Sequence, residues 1–505
     1  MNIKKAFAWF LTIAIFASTV GVIPVSAPKT VSPFLQVGPK AVLADTTSNT
    51  NPNYPIFTCQ LAGNPNPAGR TCYDPYQIRR AYNIDKLINA GYTGKGKTII
   101  IVDAFQSPNI VNQLNYFDSF YGLPSLNGLG GKPDRKLGTF TQIAPDGLTP
   151  FDETNDDMVG WAEEISLDVL WAHAIAPGAN IVLDLSKSDQ DPDLLSATKY
   201  VVDRRLGDVI SQSFGENESC VDAEVLKGEH KVFEKATMNH MTLLASSGDD
   251  GAAELTCDGT SYVKAASSPA SDPLVTGVGG TELHAAGFCL TAAGCNPKVN
   301  PAPGTYQGEI AWNEILRGNN IGSGGGMSVL YKAPFFQSLV ARKGKQRGVP
   351  DVAYTAAVSY GVLTYLDIPG DATGMYTFGG TSVGSPQWAA IIAIADQKAG
   401  RPLGFINAAL YLYSLSPQKY SSLFHDITSG NNSMVEVDSA GNPYTIQGFD
   451  AGKGWDAVTG LGSPRVDHLV DFLSRFTSDR DGNQAIGNTD PFNNGHFGGG
   501  HRMGH

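Results

Sequence analysis

A serine in a glycine-rich turn is the first residue of this sequence whose setting suggests chemistry. Ser382 follows Gly379 and Gly380, and an apolar segment with Pro386 in its first turn comes directly after it. Glycines permit an unusual turn, and proline is tolerated at the start of a helix. Backbone N–H groups and the positive end of that helix would stabilise a developing oxyanion. We therefore predict that Ser382 is an acyl-transfer nucleophile; the alternative is a serine that only caps the helix.

A nucleophilic serine needs a base, and histidine is the usual one. None of the nine histidines stands in a glycine-flanked His-Gly-Thr segment. His173 falls on a predicted helix, and we interpret it as structural. The base is therefore expected among other residue types.

Paired carboxylates on one predicted helix are the alternative base. Glu164 and Asp168 are four residues apart among apolar neighbours, so they share a helix face. Like charges at this spacing should share a proton, with one pKa raised and the other lowered. A raised glutamate could accept the proton of Ser382 while Asp168 orients it. The alternative is a solvated acidic helix face.

A further carboxylate lies in the turn Ser246-Ser-Gly-Asp249-Asp-Gly251, directly after a predicted strand. If Asp249 carries a proton, it can donate a hydrogen bond to an oxyanion. The alternative is an aspartate that only shapes the turn, which is common before glycine.

The elements that must position these residues alternate along the chain. Strands are predicted over 98–102, 181–183, 208–211, 241–245 and 274–278, and helices over 109–121, 156–174, 191–206 and 223–239. Uniformly apolar strands between helices predict an α/β fold with a parallel sheet covered on both faces. Reactive groups are then expected at the carboxyl ends of the strands. Asp103, at the end of the first of these strands, is interpreted as structural.

Length and charge exclude several classes of protein. The chain has 505 residues, with 36 Lys+Arg against 48 Asp+Glu and a net charge of −12. This composition is not that of a coiled coil, a polytopic membrane protein or a wholly disordered chain. An acidic balance also argues against a nucleic-acid partner.

The two ends of the chain differ from the middle in composition. Residues 1–27 have the layout of a signal peptide: Lys4 and Lys5, an apolar run, and the small residues Val25-Ser-Ala27, with a weaker second cleavage site at Ala41-Val-Leu-Ala44. An uncleaved membrane anchor is the alternative; after cleavage we expect no stable membrane partner. Residues 28–75 are interpreted as a linker or short pro-segment, and 477–505 as a disordered Gly/His-rich tail.

The six cysteines agree with export, because disulfides persist in oxidising compartments. Six cysteines allow fifteen pairings. Short separations favour Cys59–Cys72, Cys220–Cys257 and Cys289–Cys295, and the alternative is buried thiols.

Taken together, these residues resemble the sedolisin family, the serine-carboxyl peptidases, over about Tyr76 to Leu473. The carriers are Glu164-Ile-Ser-Leu-Asp168, Ala176-Pro-Gly-Ala179, Ser211-Gln-Ser-Phe-Gly215, Ser247-Gly-Asp249, Ser268-Pro-Ala-Ser-Asp-Pro-Leu-Val-Thr-Gly-Val-Gly-Gly-Thr281, Ser323-Gly-Gly-Gly-Met-Ser328, Arg347-Gly-Val-Pro-Asp-Val352 and Gly380-Thr-Ser382. The resemblance implies a subtilisin-like three-layer α/β fold over residues 76–476, with a mostly parallel central sheet flanked by helices.

The resemblance also implies roles for single residues. Ser382 is expected as nucleophile, Glu164 as base and acid, Asp168 as its partner, and Asp249 as oxyanion donor with the Ser382 N–H. Ser213, Gly215 and Gly325 are expected to line the substrate cleft, although glycine-rich turns are an ordinary structural feature.

One calcium ion is implied near the carboxyl end. Calcium takes six or more hard oxygens. Asp426 and Asp456 would supply carboxylates, and Ile427, Gly452 and Gly454 would supply carbonyls. The alternative is a surface turn without a metal.

The sequence thus predicts a secreted, monomeric serine endopeptidase that hydrolyses polypeptides in acid. The alternatives are a His-dependent subtilisin-type protease and a catalytically silent extracellular binding protein on a peptidase scaffold. Family precursors usually carry a long folded pro-domain, whereas this sequence offers only residues 28 to about 75.

Overall fold

The computed structural model describes residues 32–34, 36–43, 54–63, 70–289, 300–340, 345–438 and 440–476. The predicted signal peptide, Cys295 and the predicted tail lie outside these residues. No helix in the described ranges is both long and apolar enough to cross a bilayer.

The helices are given first, in chain order. They are α1 Pro75–Ala81, α2 Ile84–Asn89, α3 Ile110–Tyr121, α4 Asp156–Ile175, α5 Asp191–Arg204, α6 Ala223–Met238, α7 Phe335–Val340, α8 Gly384–Ala399, α9 Asn407–Tyr413, α10 Pro417–Leu423 and α11 Val466–Arg475.

The strands follow in the same order. They are β1 Ser32–Pro33, β2 Gln36–Lys40, β3 Thr71–Tyr73, β4 Thr98–Ala104, β5 Phe140–Ile143, β6 Asn180–Ser186, β7 Val209–Gln212, β8 Phe214–Asn217, β9 Thr242–Ser246, β10 Ala253–Leu255, β11 Tyr262–Lys264, β12 Ser267–Ser268, β13 Thr276–Ala285, β14 Tyr306–Ala311, β15 Gly326–Lys332, β16 Gln346–Val349, β17 Val352–Thr355, β18 Tyr360–Asp367, β19 Thr373–Gly379, β20 Phe424–His425, β21 Met434–Val437, β22 Pro443–Ile446 and β23 Ser463–Pro464.

A mostly parallel sheet forms the centre of the molecule. Its order is β14-β13-β9-β7-β4-β6-β5, and β17 also pairs with β13. All of these pairings are parallel except β13 with β14. The prediction of a mostly parallel α/β sheet is confirmed.

Helices cover both faces of this sheet. In β4, Ile99 and Ile101 pack into the core cluster that contains residues of α4 and α8. Ile100 and Val102 point the other way, into the cluster with residues of α5 and α6. Alternate side chains of a strand point to opposite faces, so a uniformly apolar strand serves two layers of helices.

A second, four-stranded sheet leads to the predicted nucleophile. Its order is β2-β19-β18-β3. Strand β19 ends at Gly379, and the short 3-10 turn Thr381–Val383 follows, which we call the Ser382 turn. Helix α8 begins directly after it.

Two of the three predicted disulfides lie within the described residues and are confirmed. They join Cys59 to Cys72 and Cys220 to Cys257. The third predicted pair, Cys289–Cys295, lies partly outside the described residues.

Strand β13 is the element that differs most from its predicted bounds. It runs from Thr276 to Ala285 rather than over 274–278. The carboxylate of Asp272 accepts from the N–H of Leu274 and holds a turn before the strand. The glycines of β13 weaken a strand pattern in sequence, yet a Cβ on Gly279 would lie 2.6 Å from Pro350. Close packing therefore requires glycines in β13, and these glycines make the strand hard to recognise from the sequence.

Candidate active site

Helix α4 carries the paired carboxylates. The side chain of Asn155 accepts from the N–H of Met158 and caps the helix at its start. The helix ends at Ile175, before Pro177. Glu164 and Asp168 share a face and are fully buried. Two buried carboxyls on one helix face cannot both ionise cheaply.

Burial therefore dominates the acidity of this pair. Burial raises the pKa of Asp168 to about 7, although the hydrogen bond from the Ser213 hydroxyl lowers that pKa. Burial raises the pKa of Glu164 well above its usual value, and the charges of Asp168 and Asp103 raise it further. The predicted lowering of one pKa of the pair is not found, because desolvation acts on both groups.

Ser382 lies beside this pair, in the turn between β19 and α8. Its hydroxyl donates to the carbonyl of Ser213 at 3.2 Å. The hydroxyl also lowers the pKa of Glu164. Neither carboxyl oxygen of Glu164 completes a hydrogen bond of standard geometry with a described residue. Ser382 and Glu164 are therefore neighbours without a well-formed hydrogen bond. Catalytic hydrogen bonds are often long or poorly aligned before a substrate binds.

Ser213 connects the two halves of the site. Its hydroxyl donates to Oδ2 of Asp168 at 2.7 Å, and its carbonyl accepts from Ser382. The residue stands between β7 and β8, at the carboxyl end of β7. Ser213 thus links Asp168 to Ser382, through its hydroxyl on one side and its carbonyl on the other.

Asp249 approaches the Ser382 turn from the carboxyl end of β9. Gly248, with φ +114°, makes the turn that L residues rarely adopt. Oδ1 of Asp249 accepts from the N–H and the hydroxyl of Thr381, at 2.7 and 2.9 Å. Oδ2 is buried and has no hydrogen-bond partner among the described residues. Burial raises the pKa of Asp249 to about 8, so a proton on this oxygen is favoured at acid pH.

The described residues 32–34 and 36–40, which we call the cleft segment, lie across this site. The N–H of Phe34 donates to the carbonyl of Ser213 at 3.1 Å, and the N–H of Ser382 donates to the carbonyl of Phe34 at 3.1 Å. The side-chain amide of Gln36 lowers the pKa of Asp249. The cleft segment was not singled out by the sequence, and no local pattern in it indicates these contacts.

The three predicted substrate-binding residues have different surroundings. Ser213 and Gly215 lie along the cleft segment; Gly215 pairs with Ser32 between β1 and β8. The N–H of Gly325 donates to the carbonyl of Gly251, and its own carbonyl accepts from Asn432. Both backbone groups of Gly325 are therefore engaged inside the fold, and its role stays a prediction.

Asp103 is a site neighbour that sequence reasoning assigned only to structure. It is fully buried at the carboxyl end of β4, and neither of its oxygens has a hydrogen-bond partner in the described part of the chain. Burial and the charge of Asp168 raise its pKa well above the usual value. Its position at the end of a predicted strand is the sequence feature that could have indicated a place in the site, because reactive groups gather at the carboxyl ends of parallel strands.

None of the histidines in the described part of the chain takes the place of a base at Ser382. His173 Nε2 lies 2.9 Å from the carbonyl of Pro124 and 3.0 Å from Asp118, so its structural interpretation fits its surroundings. Within the described ranges, the polar groups found at Ser382 come from Ser213, Phe34 and Glu164, and none is a histidine.

The residues predicted to hold calcium stand in two loops, one after β20 and one after β22, which contact each other. Oδ1 of Asp426 accepts from the N–H of Gly454 at 3.0 Å, and Oδ2 of Asp456 accepts from the N–H of Gly452 at 2.9 Å. The side chain of Ile427 is buried directly after Asp426. The described residues contain no group of three or more His, Cys, Asp or Glu side chains that could hold a metal ion. Calcium also takes carbonyl oxygens, so Asp426 and Asp456 would need the backbone carbonyls of these loops to complete the donor set.

Comparison with known proteins gives several relatives, although no family model matches the chain. Kumamolisin from Bacillus sp. (strain MN-32) is 30% identical over 405 residues, which cover 79% of this chain and 63% of kumamolisin. Sedolisin from Pseudomonas sp. (strain 101) is 31% identical over 393 residues, which cover 75% of this chain and 58% of sedolisin. The chain thus spans less than two thirds of either relative.

A solved structure is also similar. Pseudomonas sedolisin, a serine-carboxyl proteinase complexed with two molecules of pseudo-iodotyrostatin, has a TM-score of 0.64 and 27% identity to this chain. The match covers 80% of this chain and 98% of the sedolisin chain. With its parallel central sheet between layers of helices, this chain belongs to the sedolisin family and has the family's subtilisin-like α/β fold.

Proposed function

We propose that the protein is an exported serine-carboxyl endopeptidase that hydrolyses polypeptides in acid. The observation that carries this proposal is the convergence of three groups: the buried pair Glu164 and Asp168, the hydroxyl of Ser382, and the unpartnered oxygen of Asp249. Each group matches one requirement of acyl transfer, namely base, nucleophile and oxyanion donor.

In the proposed reaction, Oγ of Ser382 attacks the carbonyl carbon of a substrate peptide bond. The ionised form of Glu164 accepts the hydroxyl proton, and Asp168 orients Glu164 and stabilises its protonated form. The oxyanion receives hydrogen bonds from the Ser382 N–H and from the proton on Asp249. Glu164 then returns its proton to the leaving amine, and water releases the acyl group by the same steps in reverse order.

The role of Asp249 limits activity to a pH at which its carboxyl is protonated. A carboxylate cannot donate a hydrogen bond, so the oxyanion loses one donor when Asp249 ionises. Its pKa of about 8 in the structure sets an upper limit to the alkaline side of activity. Burial is the first cause of that raised value, so a cleft opened to water would move the limit toward acid.

Calcium is proposed as a structural ion rather than a catalytic one. Asp426 and Asp456 would supply carboxylates, and Ile427, Gly452 and Gly454 would supply carbonyls. When bound, the ion would neutralise two carboxylates and fix the two loops on which they stand to each other.

Export is proposed from the disulfides Cys59–Cys72 and Cys220–Cys257, because such bonds persist in oxidising compartments. Chain mass and N-terminal sequence of protein collected from the medium of a secreting host would test it. Protein retained in the cell with an intact residue 1 would contradict it.

The central experiment compares the catalytic residues with matched neighbours. Ser382→Ala and Glu164→Gln should each reduce kcat on a mixed peptide library at acid pH by about 10⁴-fold or more. Ser385→Ala and Glu163→Gln are the controls. Ser385 is buried in α8 and contacts Ser211, and Glu163 precedes the base, so both should retain most activity.

Two results would contradict the proposal. Full proteolysis by Ser382→Ala would show that Ser382 is not the nucleophile. An unmodified protein that cleaves no peptide at any pH would favour a silent binding protein.

A further inference from the structure

A cavity of about 610 Å³ lies apart from the candidate active site, between α1 and the end of α3. Its volume is that of a pocket for a small ligand or for a short stretch of a larger one, since such pockets measure about 300–1,000 Å³. Its walls are mostly aromatic: Tyr54, Tyr76, Phe120 and Tyr121 line it, together with Arg80. The residues that line the cavity include none of the proposed catalytic groups.

The aromatic rings continue beyond the cavity as a row, which we call the aromatic strip. It consists of Tyr76, Tyr54, Tyr121, Phe120 and Tyr116, and each ring contacts the next with centroids 4.9 to 5.9 Å apart. The two end members are open to solvent, since Tyr76 is 37% and Tyr116 is 44% exposed. Exposed apolar side chains that form a continuous patch mark interaction sites.

Two rings of the strip are held in place by their hydroxyls. The hydroxyl of Tyr54 donates to the buried carboxylate of Asp74 at 3.0 Å, and that of Tyr76 donates to the carbonyl of Tyr121 at 2.7 Å. Asp74 also accepts from the N–H groups of Tyr76 and Gln77, so it fixes the start of α1 at the same time. Side chains that are ordered before a ligand arrives lose little conformational freedom on binding.

The faces of the exposed rings are in contact with other side chains. Tyr76 stacks on Tyr54 with an interplanar angle of 14°, and the guanidinium group of Arg79 lies 5.4 Å from the Tyr76 ring. Tyr116 stacks on Tyr365 with their centroids 3.9 Å apart. The strip is therefore not an open, flat platform of the kind on which a sugar ring stacks. Ring edges carry the positive part of the aromatic quadrupole, which attracts carbonyl oxygens.

The polar groups of the cavity are mainly donors. The guanidinium group of Arg80 donates to the carbonyl of Pro303 at 3.0 Å, and its fork of N–H groups has further donors on a side chain that is 48% exposed. The hydroxyl of Tyr121 is buried and has no hydrogen-bond partner in the described part of the chain. Among the described residues that line the cavity, none is acidic. The cavity is thus suited to a ligand with apolar rings and many acceptors.

We propose that the cavity and the aromatic strip bind a proline-rich segment of a polypeptide in the polyproline II conformation. Such a segment has apolar pyrrolidine rings and no N–H at its prolines, and its carbonyls are not used by internal hydrogen bonds. It therefore matches both the aromatic edges and the excess of donors. Aromatic-lined grooves bind such segments in other proteins because the polyproline II helix is already ordered before it binds.

The position of the cavity gives this binding a consequence for catalysis. Nε of Arg79, in α1, donates to the carbonyl of Ala174 at 2.7 Å, in the last turn of α4, and Glu164 stands on the same helix. A polypeptide held at the cavity by one segment would present its other segments to the cleft at a raised effective concentration. This consequence rests on the proposed function, whereas the binding itself does not.

The first experiment measures binding to the full chain with Ser382→Ala, by isothermal titration calorimetry at acid pH. A peptide of about ten prolines should bind saturably with a Kd below about 1 mM, and a Gly/Ser peptide of the same length should not bind. Tyr76→Ala and Ser119→Trp should each weaken binding at least about tenfold. Ser119 is exposed on α3 and lines the cavity, so the larger side chain fills the cavity without removing a ring.

Phe335→Ala is the matched control, because Phe335 is 59% exposed on α7 and does not line the cavity. It should bind the proline peptide as the parent protein does. The Tm of each variant shows that it is folded. A proline peptide that does not bind, or that binds Ser119→Trp as tightly as its parent, overturns the inference. Binding of a soluble oligosaccharide such as cellohexaose in place of the proline peptide also overturns it.

The second experiment uses the active enzyme and a cleavable peptide with or without a proline tail. The tail should lower KM without a change in kcat, and Tyr76→Ala should remove this decrease while it leaves the peptide without a tail unaffected. An equal KM for both peptides overturns the consequence for catalysis. A protein that binds the proline peptide but hydrolyses no peptide removes the proposed function and leaves the binding site.

Discussion

Thr381 holds a single oxygen of Asp249 with two hydrogen bonds, one from its N–H at 2.7 Å and one from its hydroxyl at 2.9 Å. Because Thr381 directly precedes Ser382, the acid after β9 and the serine before α8 are fixed to each other. The contact also leaves Oδ2 of Asp249 without a partner among the described residues. The arrangement allows one oxygen to be anchored while the other carries a proton.

Removal of the threonine hydroxyl should move the alkaline side of the pH profile. The hydroxyl lowers the pKa of Asp249, so Thr381→Val should raise that pKa and extend activity to higher pH. One hydrogen bond of about 1 kcal/mol corresponds to about 0.7 pH unit. The measurement is kcat/KM of the enzyme across pH.

Thr381→Ser is the matched control, because it keeps a hydroxyl and should keep the profile of the unmodified enzyme. A profile of Thr381→Val that coincides with that of Thr381→Ser would mean that Asp249 does not set the alkaline side.

Local patterns in the sequence were sufficient for α4 and for the candidate acids. The helix was predicted over 156–174 and is found at Asp156–Ile175, because capping, apolar periodicity and the following proline are all local signals. The pair Glu164 and Asp168 follows from helix geometry alone. The cleft segment could not be predicted, because its partners β8 and β19 are distant in sequence and its own residues carry no strand pattern. The electrostatic effect of Asp103 depends on how α4 crosses the end of β4, which no local pattern contains.

Stability should be greatest in acid and should fall as the pH rises. Burial raises the folded-state pKa of Asp168 to about 7 and that of Asp249 to about 8, and that of Asp103 rises as well. The folded protein therefore holds protons that the unfolded chain releases near pH 4. Their contribution is complete below about pH 4 and is lost as the pH rises through the folded-state values.

Asp103→Asn tests this dependence without replacing a proposed reacting group. In a Ser382→Ala background, which prevents self-digestion, the decrease in Tm from pH 4 to pH 8 should become smaller, because one buried carboxyl no longer loses its proton. Asp438→Asn is the control: Asp438 is fully exposed and its pKa is lowered, so it titrates below this range. Equal slopes in both variants would show that Asp103 does not contribute.

Calcium should raise the Tm of the protein, and its removal with a chelator should lower it. An ion that binds only the folded state stabilises it by mass action, and a millimolar excess over a micromolar Kd is worth about 4 kcal/mol. Asp426→Asn should abolish the calcium-dependent part of Tm, whereas Asp438→Asn should keep it. Thermal melting with added calcium or chelator measures this without reference to activity. A Tm that does not respond to calcium in the unmodified protein would contradict the site.

The fully buried pair Arg347 and Asp351 should be essential for stability. The guanidinium group donates to both oxygens of Asp351, at 2.6 and 2.5 Å, and Asp351 also accepts from the N–H of Gly277 in β13. The pair therefore ties the loop before β17 to the strand beside it. Asp351→Ala would leave a charged guanidinium buried without its partner, which costs about 3–5 kcal/mol. Urea unfolding in the Ser382→Ala background measures this loss.

Lys86→Ala, which removes the partly exposed pair with Asp467, is the control and should cost no more than about 1 kcal/mol. Similar losses for the two variants would mean that burial of the Arg347 pair does not determine its contribution.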